Sequence, residues 1–275
     1  MSGPVILLLD NGSRRAAATL SLRTIAAELT AACGRPVNAV SLRHSDAVPA
    51  EQLDGIRAQT LDGFLRARLG EGRREFVVLP LFFGLSRALT KAIPELVAEL
   101  AEEFGTFELR VAGVLSPLPQ GEPLLADILA DNARRASTGV GTEVDRVILV
   151  DHGSPVPQVT AVRSRLAEML RERLDPRVQL DQAVMERRPG AEYDFNGELL
   201  EKKLQACAPA GGAETVVLAM MFISPGRHAG PGGDIEAICA EAQTRNPGLQ
   251  LAISPLIGEH PLLIDILKAR LEDVV

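Results

Sequence analysis

The sequence has no tryptophan and a single tyrosine among its 275 residues. It therefore has few of the flat side chains on which single-stranded bases stack. Cations are in the minority as well, with 29 Lys plus Arg against 36 Asp plus Glu and a formal charge of −7. That balance leaves no basic stripe for a phosphate backbone, and nucleic-acid binding is set aside on both counts. Cysteine is scarce: Cys33, Cys207 and Cys239 are far apart and form no C-x-x-C pair. This argues against a disulfide framework, structural zinc or a cysteine-ligated cluster, and suggests three small core residues. No apolar run approaches the roughly 20 residues needed to cross a bilayer, and Val5–Leu9 is too short and lacks the basic flank of a secretion signal. The expectation is a soluble cytoplasmic protein with no membrane partner. What the chain does have is apolar content, 46% of positions, enough for one large core or two modest ones at about 100–150 residues per domain.

The chain is written twice. VLSPLPQGEPLLADIL from Val114 returns near the C-terminus as ISPLIGEHPLLIDIL, with Ser116/Ser254, Pro123/Pro261, Asp127/Asp265 and Leu129/Leu267 among the identical pairs. VILLLDNGS at Val5 matches VILVDHGS at Val147, and VVLPLFF at Val77 matches VVLAMMF at Val216. Two tandem copies of one unit, residues 1–140 and 141–275, are expected, with STGVGT at 137–142 as the linker. In each copy short Val/Ile/Leu runs alternate with longer amphipathic stretches, the pattern of buried parallel strands joined by crossover helices. The second copy predicts strands at Arg146–Val150, Gln179–Met185, Thr215–Phe222 and Leu249–Ile253. Its helices are expected at Val156–Arg173, Asn196–Cys207, Asp234–Thr244 and His260–Leu271. The first predicts strands at Val5–Leu9, Val37–Leu42, Phe76–Phe82 and Glu108–Val114. The fold class is α/β: two doubly wound lobes, each with a four-stranded, mostly parallel sheet that binds ligands at the carboxyl ends of its strands.

In the second copy those ends carry Asp151-His152-Gly153-Ser154, then Met185-Glu186-Arg187-Arg188, then Gly226-Arg227-His228-Ala229-Gly230 running on to Asp234. With the common strand order 2-1-3-4 the three loops are neighbours, about 4.8 Å apart, and two imidazoles and a carboxylate face one cleft. That set suits a borderline divalent ion such as Co²⁺, Ni²⁺ or Fe²⁺ and can also accept protons near neutral pH. Gly226, Gly230, Gly232 and Gly233 keep the backbone low enough for a flat ligand, and Asp234 is read as a helix cap. His260 is read as structural at a helix start, and His44 as a loop residue.

D-H-G-S after the first strand and F-x-x-P-G-R-H-A-G-x-G-G-D-I after the third resemble the sirohydrochlorin chelatase family of class II chelatases, over nearly the whole chain. The resemblance implies insertion of Co²⁺ or Fe²⁺ into sirohydrochlorin without ATP, toward cobalamin or sirohaem. No permanently bound cofactor is implied, because the metal and the tetrapyrrole are both substrates. By position, His152 and His228 match the family's pair of active-site histidines and bind the metal, and Glu186 matches its acidic residue. Sirohydrochlorin is a polycarboxylate, so Arg187, Arg188, Arg227, Ser154 and Gly226 are the expected substrate contacts, together with the helix N-terminus after Asp234.

The first copy departs from the pattern. Asn11 stands where the family has His, Leu42 is placed opposite Glu186, and Gly84-Leu85-Ser86-Arg87-Ala88 replaces the Gly-Arg-His stretch. One active site per chain is expected, with Arg14, Arg15, Arg87 and Lys91 as candidate carboxylate contacts in the degenerate lobe. A different reading of the same histidines is a non-catalytic carrier of metal or tetrapyrrole.

Overall fold

The computed structural model describes residues 3–139, 141, 143–207 and 213–275. In the first repeat β1 (Val5–Asp10), β2 (Val37–Ser41), β3 (Glu75–Pro80) and β4 (Glu108–Val111) alternate with α1 (Ala16–Cys33), α2 (Leu61–Gly70) and α3 (Ile93–Phe104), before α4 (Pro123–Thr138). The second repeat follows with β5 (Arg146–Asp151), β6 (Gln179–Val184), β7 (Glu214–Met220) and β8 (Leu249–Ile253), interleaved with α5 (Pro157–Arg171), α6 (Leu200–Gln205) and α7 (Asp234–Arg245) and ending in α8 (Leu262–Glu272). The sheets run β2-β1-β3-β4 and β6-β5-β7-β8, and every strand pair is parallel. The expected order is therefore present in both lobes.

Central strands are apolar on both faces because helices cover both, so Ile6–Leu9 and Val147–Val150 are buried without alternation. Helix starts carry local signals. The Thr60 side chain accepts from Gly63 N at 3.4 Å, and Glu122 accepts from Leu124 N at 3.2 Å just before Pro123. His260 occupies the place of Glu122 in the second repeat, and its Nδ1 accepts from Leu262 N at 3.2 Å.

Two expectations need correction. The expected helix 196–207 shortens to α6, because a 3₁₀ turn, Ala191–Asn196, follows β6. Ser137 and Thr138 of the expected linker close α4, while residues 140 and 142 lie outside the described residues. The compact units depart from the repeat boundary: one comprises Met1–Pro117 with Ile264–Val275, the other Leu118–Leu263. Each repeat thus contributes its last helix to the other unit. In the first unit, Arg270 Nε of α8 donates to Val114 O at 3.0 Å. In the second, Asn132 of α4 donates to Pro255 O at 3.2 Å and Asp131 meets His260 Nε2 at 3.2 Å. No helix among the described residues is long and apolar enough to cross a membrane. Burial pushes the thiols of Cys207 and Cys239 up to about 11 and about 12, which suits inert core positions, whereas Cys33 is only partly covered.

Candidate metal centre at the strand ends of the second lobe

The β5–β6 ladder continues past both strands: Met185 N donates to Asp151 O at 3.0 Å and Glu186 N to His152 O at 2.9 Å. This holds His152 and Glu186 on adjacent chains. The approach requires a glycine between them, since Gly153 sits at φ +86° and a Cβ there would lie 2.0 Å from Glu186 O. After β7 the chain turns back at Gly226, whose N donates to Ala229 O at 2.8 Å, and α7 begins with Ile235 N bonded to His228 O at 3.1 Å. That turn delivers His228 from the third loop.

One ligand atom from each of His152, Glu186 and His228 lies within 4.8 Å of the others. The two imidazoles meet edge to face with centroids 4.7 Å apart and planes at 77°. His152 and Glu186 are exposed, whereas His228 is only 6% exposed. His228 Nδ1 lies 2.9 Å from Asp234 Oδ2, so the carboxylate favours the Nδ1–H tautomer and leaves Nε2 as a lone pair. Nε2 is 3.3 Å from Glu186 Oε1 but is buried and makes no hydrogen bond. A buried lone pair without a donor, beside a carboxylate and a second imidazole, is chemically suited to a cation or a proton.

Of the arginines expected here, only Arg227 joins the cluster. Its Nη1 is 3.1 Å from Glu186 Oε1 and its Nε 3.3 Å from Asp234 Oδ2, the same two oxygens that flank His228. Arg187 turns to Asp194 and to Gly197 O at 3.0 Å, and Arg188 lies 5.8 Å over the Tyr193 ring. The Ser154 hydroxyl accepts from Val156 N at 3.0 Å, a local turn bond. Gly226 has open space where a Cβ would be, so the fold does not demand glycine there.

Two elements around the cluster were not anticipated. Asp234, read as a helix cap, is preceded by the actual N-cap Gly233, and its carboxylate orients His228 instead. The second is buried beneath His152: Arg163 donates to Asp151 Oδ1 at 2.6 Å, Asn196 O at 2.7 Å and Gln182 Oε1 at 3.0 Å. Asn196 in turn brackets Ser154, accepting from its N at 3.0 Å and donating to its O at 2.8 Å. Burial pushes the Asp151 carboxyl up and Arg163 pulls it back down. The available signal was an arginine on the apolar face of α5, between Val162 and Leu166.

The CbiX family model matches residues 5–136 and 146–274. The chloroplastic sirohydrochlorin ferrochelatase of Arabidopsis thaliana is 27% identical over 135 residues, 49% of this chain, and the chain spans about half of that relative, 54% of its length. The fold is shared with SirB from Bacillus subtilis with Fe³⁺ at a TM-score of 0.68, covering 99% of this chain and 95% of that one at 17% identity. It is shared also with CbiX, described as the terminal enzyme for biosynthesis of sirohaem in denitrifying bacteria, at a TM-score of 0.63 and 17% identity over 98% of this chain and 99% of that one. With both repeats matched by one family model, the chain belongs to the CbiX family of sirohydrochlorin chelatases.

Proposed function

We propose that this chain inserts Co²⁺ or Fe²⁺ into sirohydrochlorin at His152, Glu186 and His228, supplying cobalamin or sirohaem. The observation that carries the reading is His228 Nε2, a buried nitrogen without a hydrogen bond that lies 3.3 Å from Glu186 Oε1, in a residue that groups with His152 and Glu186 at ligand-atom separations within 4.8 Å. Both ions accept the same imidazole and carboxylate donors, and the related SirB is known with Fe³⁺ and with cobalt. The three free thiols fit a reducing cytoplasmic compartment.

Metallation exchanges two pyrrole N–H protons for one divalent ion, with no change of oxidation state. His152 and His228 hold the incoming ion while it sheds water. Glu186, at the exposed rim, accepts the displaced protons and passes them to solvent. Asp234 keeps the His228 lone pair aimed at the centre, and Arg227 is free to leave its exposed carboxylate pairs for a carboxylate of the substrate. Ser154, Gly226, Arg187 and Arg188 complete the proposed substrate surface.

The test is purified protein with sirohydrochlorin and either ion, followed by the visible spectrum. His228→Ala should abolish metallation while the circular dichroism spectrum stays unchanged. Full activity in that variant would remove the site assignment, and stoichiometric binding without turnover by the unaltered protein would make it a carrier.

A further inference from the structure

We propose that the strand-end loops of the first lobe form a carboxylate-binding site centred on Arg43 and Arg87, a reading that rests on the polycarboxylate substrate proposed above. The ladder register makes the two lobes comparable residue by residue. Asp10 pairs with Ser41 as Asp151 pairs with Val184. The next amide repeats the match, Leu42 N to Asp10 O at 2.8 Å and Met185 N to Asp151 O at 3.0 Å. Gly12, at φ +83°, would place a Cβ 1.8 Å from Arg43 O, as Gly153 would place one 2.0 Å from Glu186 O. The residue in the position of Glu186 is therefore Arg43; Leu42 corresponds to Met185.

The third strands align by their hydrogen bonds one residue away from the Val77/Val216 sequence match, through Leu81 N to Leu9 O at 2.7 Å and Met221 N to Val150 O at 2.9 Å. Counting on from those residues puts Arg87 at the place of Arg227 and Ala88 at that of His228. Asn11 replaces His152. The first lobe thus keeps the backbone cradle but has lost both imidazoles and the acid, retained one arginine and gained another.

In the second lobe Arg227 is engaged by Glu186 and Asp234. Among the described residues neither Arg43 nor Arg87 forms an ion pair, and both are exposed, as are Arg14 and Arg15 after β1. The nearby acids in sequence are Asp10, whose Oδ1 is buried, and the exposed Asp46. Four exposed arginines without an ion pair, on the loops that follow three neighbouring strands at the carboxyl end of one sheet and on a chain of charge −7, favour an anion, and the guanidinium fork matches a carboxylate in two-point contact. A phosphate would use the same fork.

The probe is uroporphyrin, a tetrapyrrole ringed by carboxylates, titrated at low and at physiological salt by fluorescence, with Co²⁺ alone titrated in parallel. Arg43→Glu should weaken uroporphyrin binding about tenfold, as reversal of one or two exposed charge contacts implies. Arg43→Lys should weaken it less, and the loss should shrink as salt rises. The Co²⁺ affinity of both variants should stay within twofold of the unaltered protein. Unchanged uroporphyrin binding in Arg43→Glu overturns the proposal, as does stronger competition by pyrophosphate than by a polycarboxylate of equal charge. If Co²⁺ fails to bind the unaltered protein while uroporphyrin binding still depends on Arg43, the metal centre is wrong and the carboxylate site stands.

Discussion

A histidine can serve as a metal ligand only if one nitrogen is kept from protons, and in this chain that task falls to Asp234 Oδ2, 2.9 Å from His228 Nδ1. Asp234→Asn retains an acceptor but loses the charge and can present an N–H instead. Loss of such an outer partner typically lowers metal affinity 10- to 100-fold. Titration with Co²⁺, read in its visible ligand-field bands, should show a loss of about that size, with folding unaffected because the side chain is not the helix cap. An affinity equal to that of the unaltered protein would reduce Asp234 to a surface charge. That His152, Glu186 and His228 come together was legible because each lies in a loop that follows an apolar run. Asp234 was misread because an acid just before a helix has the sequence signature of a cap, and only the backbone reveals that Gly233 holds that position. Arg187 and Arg188 were over-read for the converse reason. Adjacency in sequence to Glu186 does not fix direction, and Asp194 and the Tyr193 ring draw both side chains aside.

The helix that follows the first strand of each lobe shows what duplication preserved and what it let go. α5 supplies Arg163 to the buried Asp151. Between Thr19 and Thr160, both buried, the two helices match, so Leu22 stands in the place of Arg163. In α1 the guanidinium has moved one residue along, where Arg23 ties down Leu53 O at 3.0 Å and Ile56 O at 2.7 Å but leaves Asp10 Oδ1 buried without a partner. Burial accordingly raises the Asp10 carboxyl from 3.8 to about 6. A raised acid in the folded state means that the native protein holds this proton more tightly than the unfolded chain. The group costs nothing below about pH 4 and lowers stability as pH climbs to about 6, by at most about 3 kcal/mol thereafter. Asp10→Asn should therefore gain stability relative to the unaltered protein at pH 7 but not at pH 4, measured by urea unfolding at both. An equal effect at the two values would show that Asp10 is not titrating in this window. Strand positions were readable from the apolar runs and their order only from the common doubly wound arrangement; the β1–β2 register was not readable. Leu42 extends its run by one apolar residue and so looked like the strand end opposite Glu186, while the hydrogen bonds stop the strand at Ser41.

Duplication is visible in the sequence as a boundary near residue 140, yet the compact units exchange their last helices. The shared segment does not encode that choice, because the same Pro-Leu-Leu-x-Asp-Ile-Leu run opens both helices and the contacts made beyond it decide which unit each joins. The consequence is a sharp prediction about where the chain can be divided. In the second unit α4 buries Leu125, Ile128 and Leu129 completely and holds Pro255 and His260 through Asn132 and Asp131. Each of those three side chains contributes roughly 1.5–3 kcal/mol by burial, together about 5–9 kcal/mol. That approaches the whole stability of a typical domain, about 5–15 kcal/mol. Residues 143–275, cut at the sequence repeat, should therefore show no cooperative thermal transition by circular dichroism. Residues 118–275, which restore α4, should melt cooperatively and bind one Co²⁺ through His152 and His228. If the shorter piece melts as sharply and binds the ion as well as the longer one, α4 is dispensable to the second unit and the helix exchange is without energetic weight.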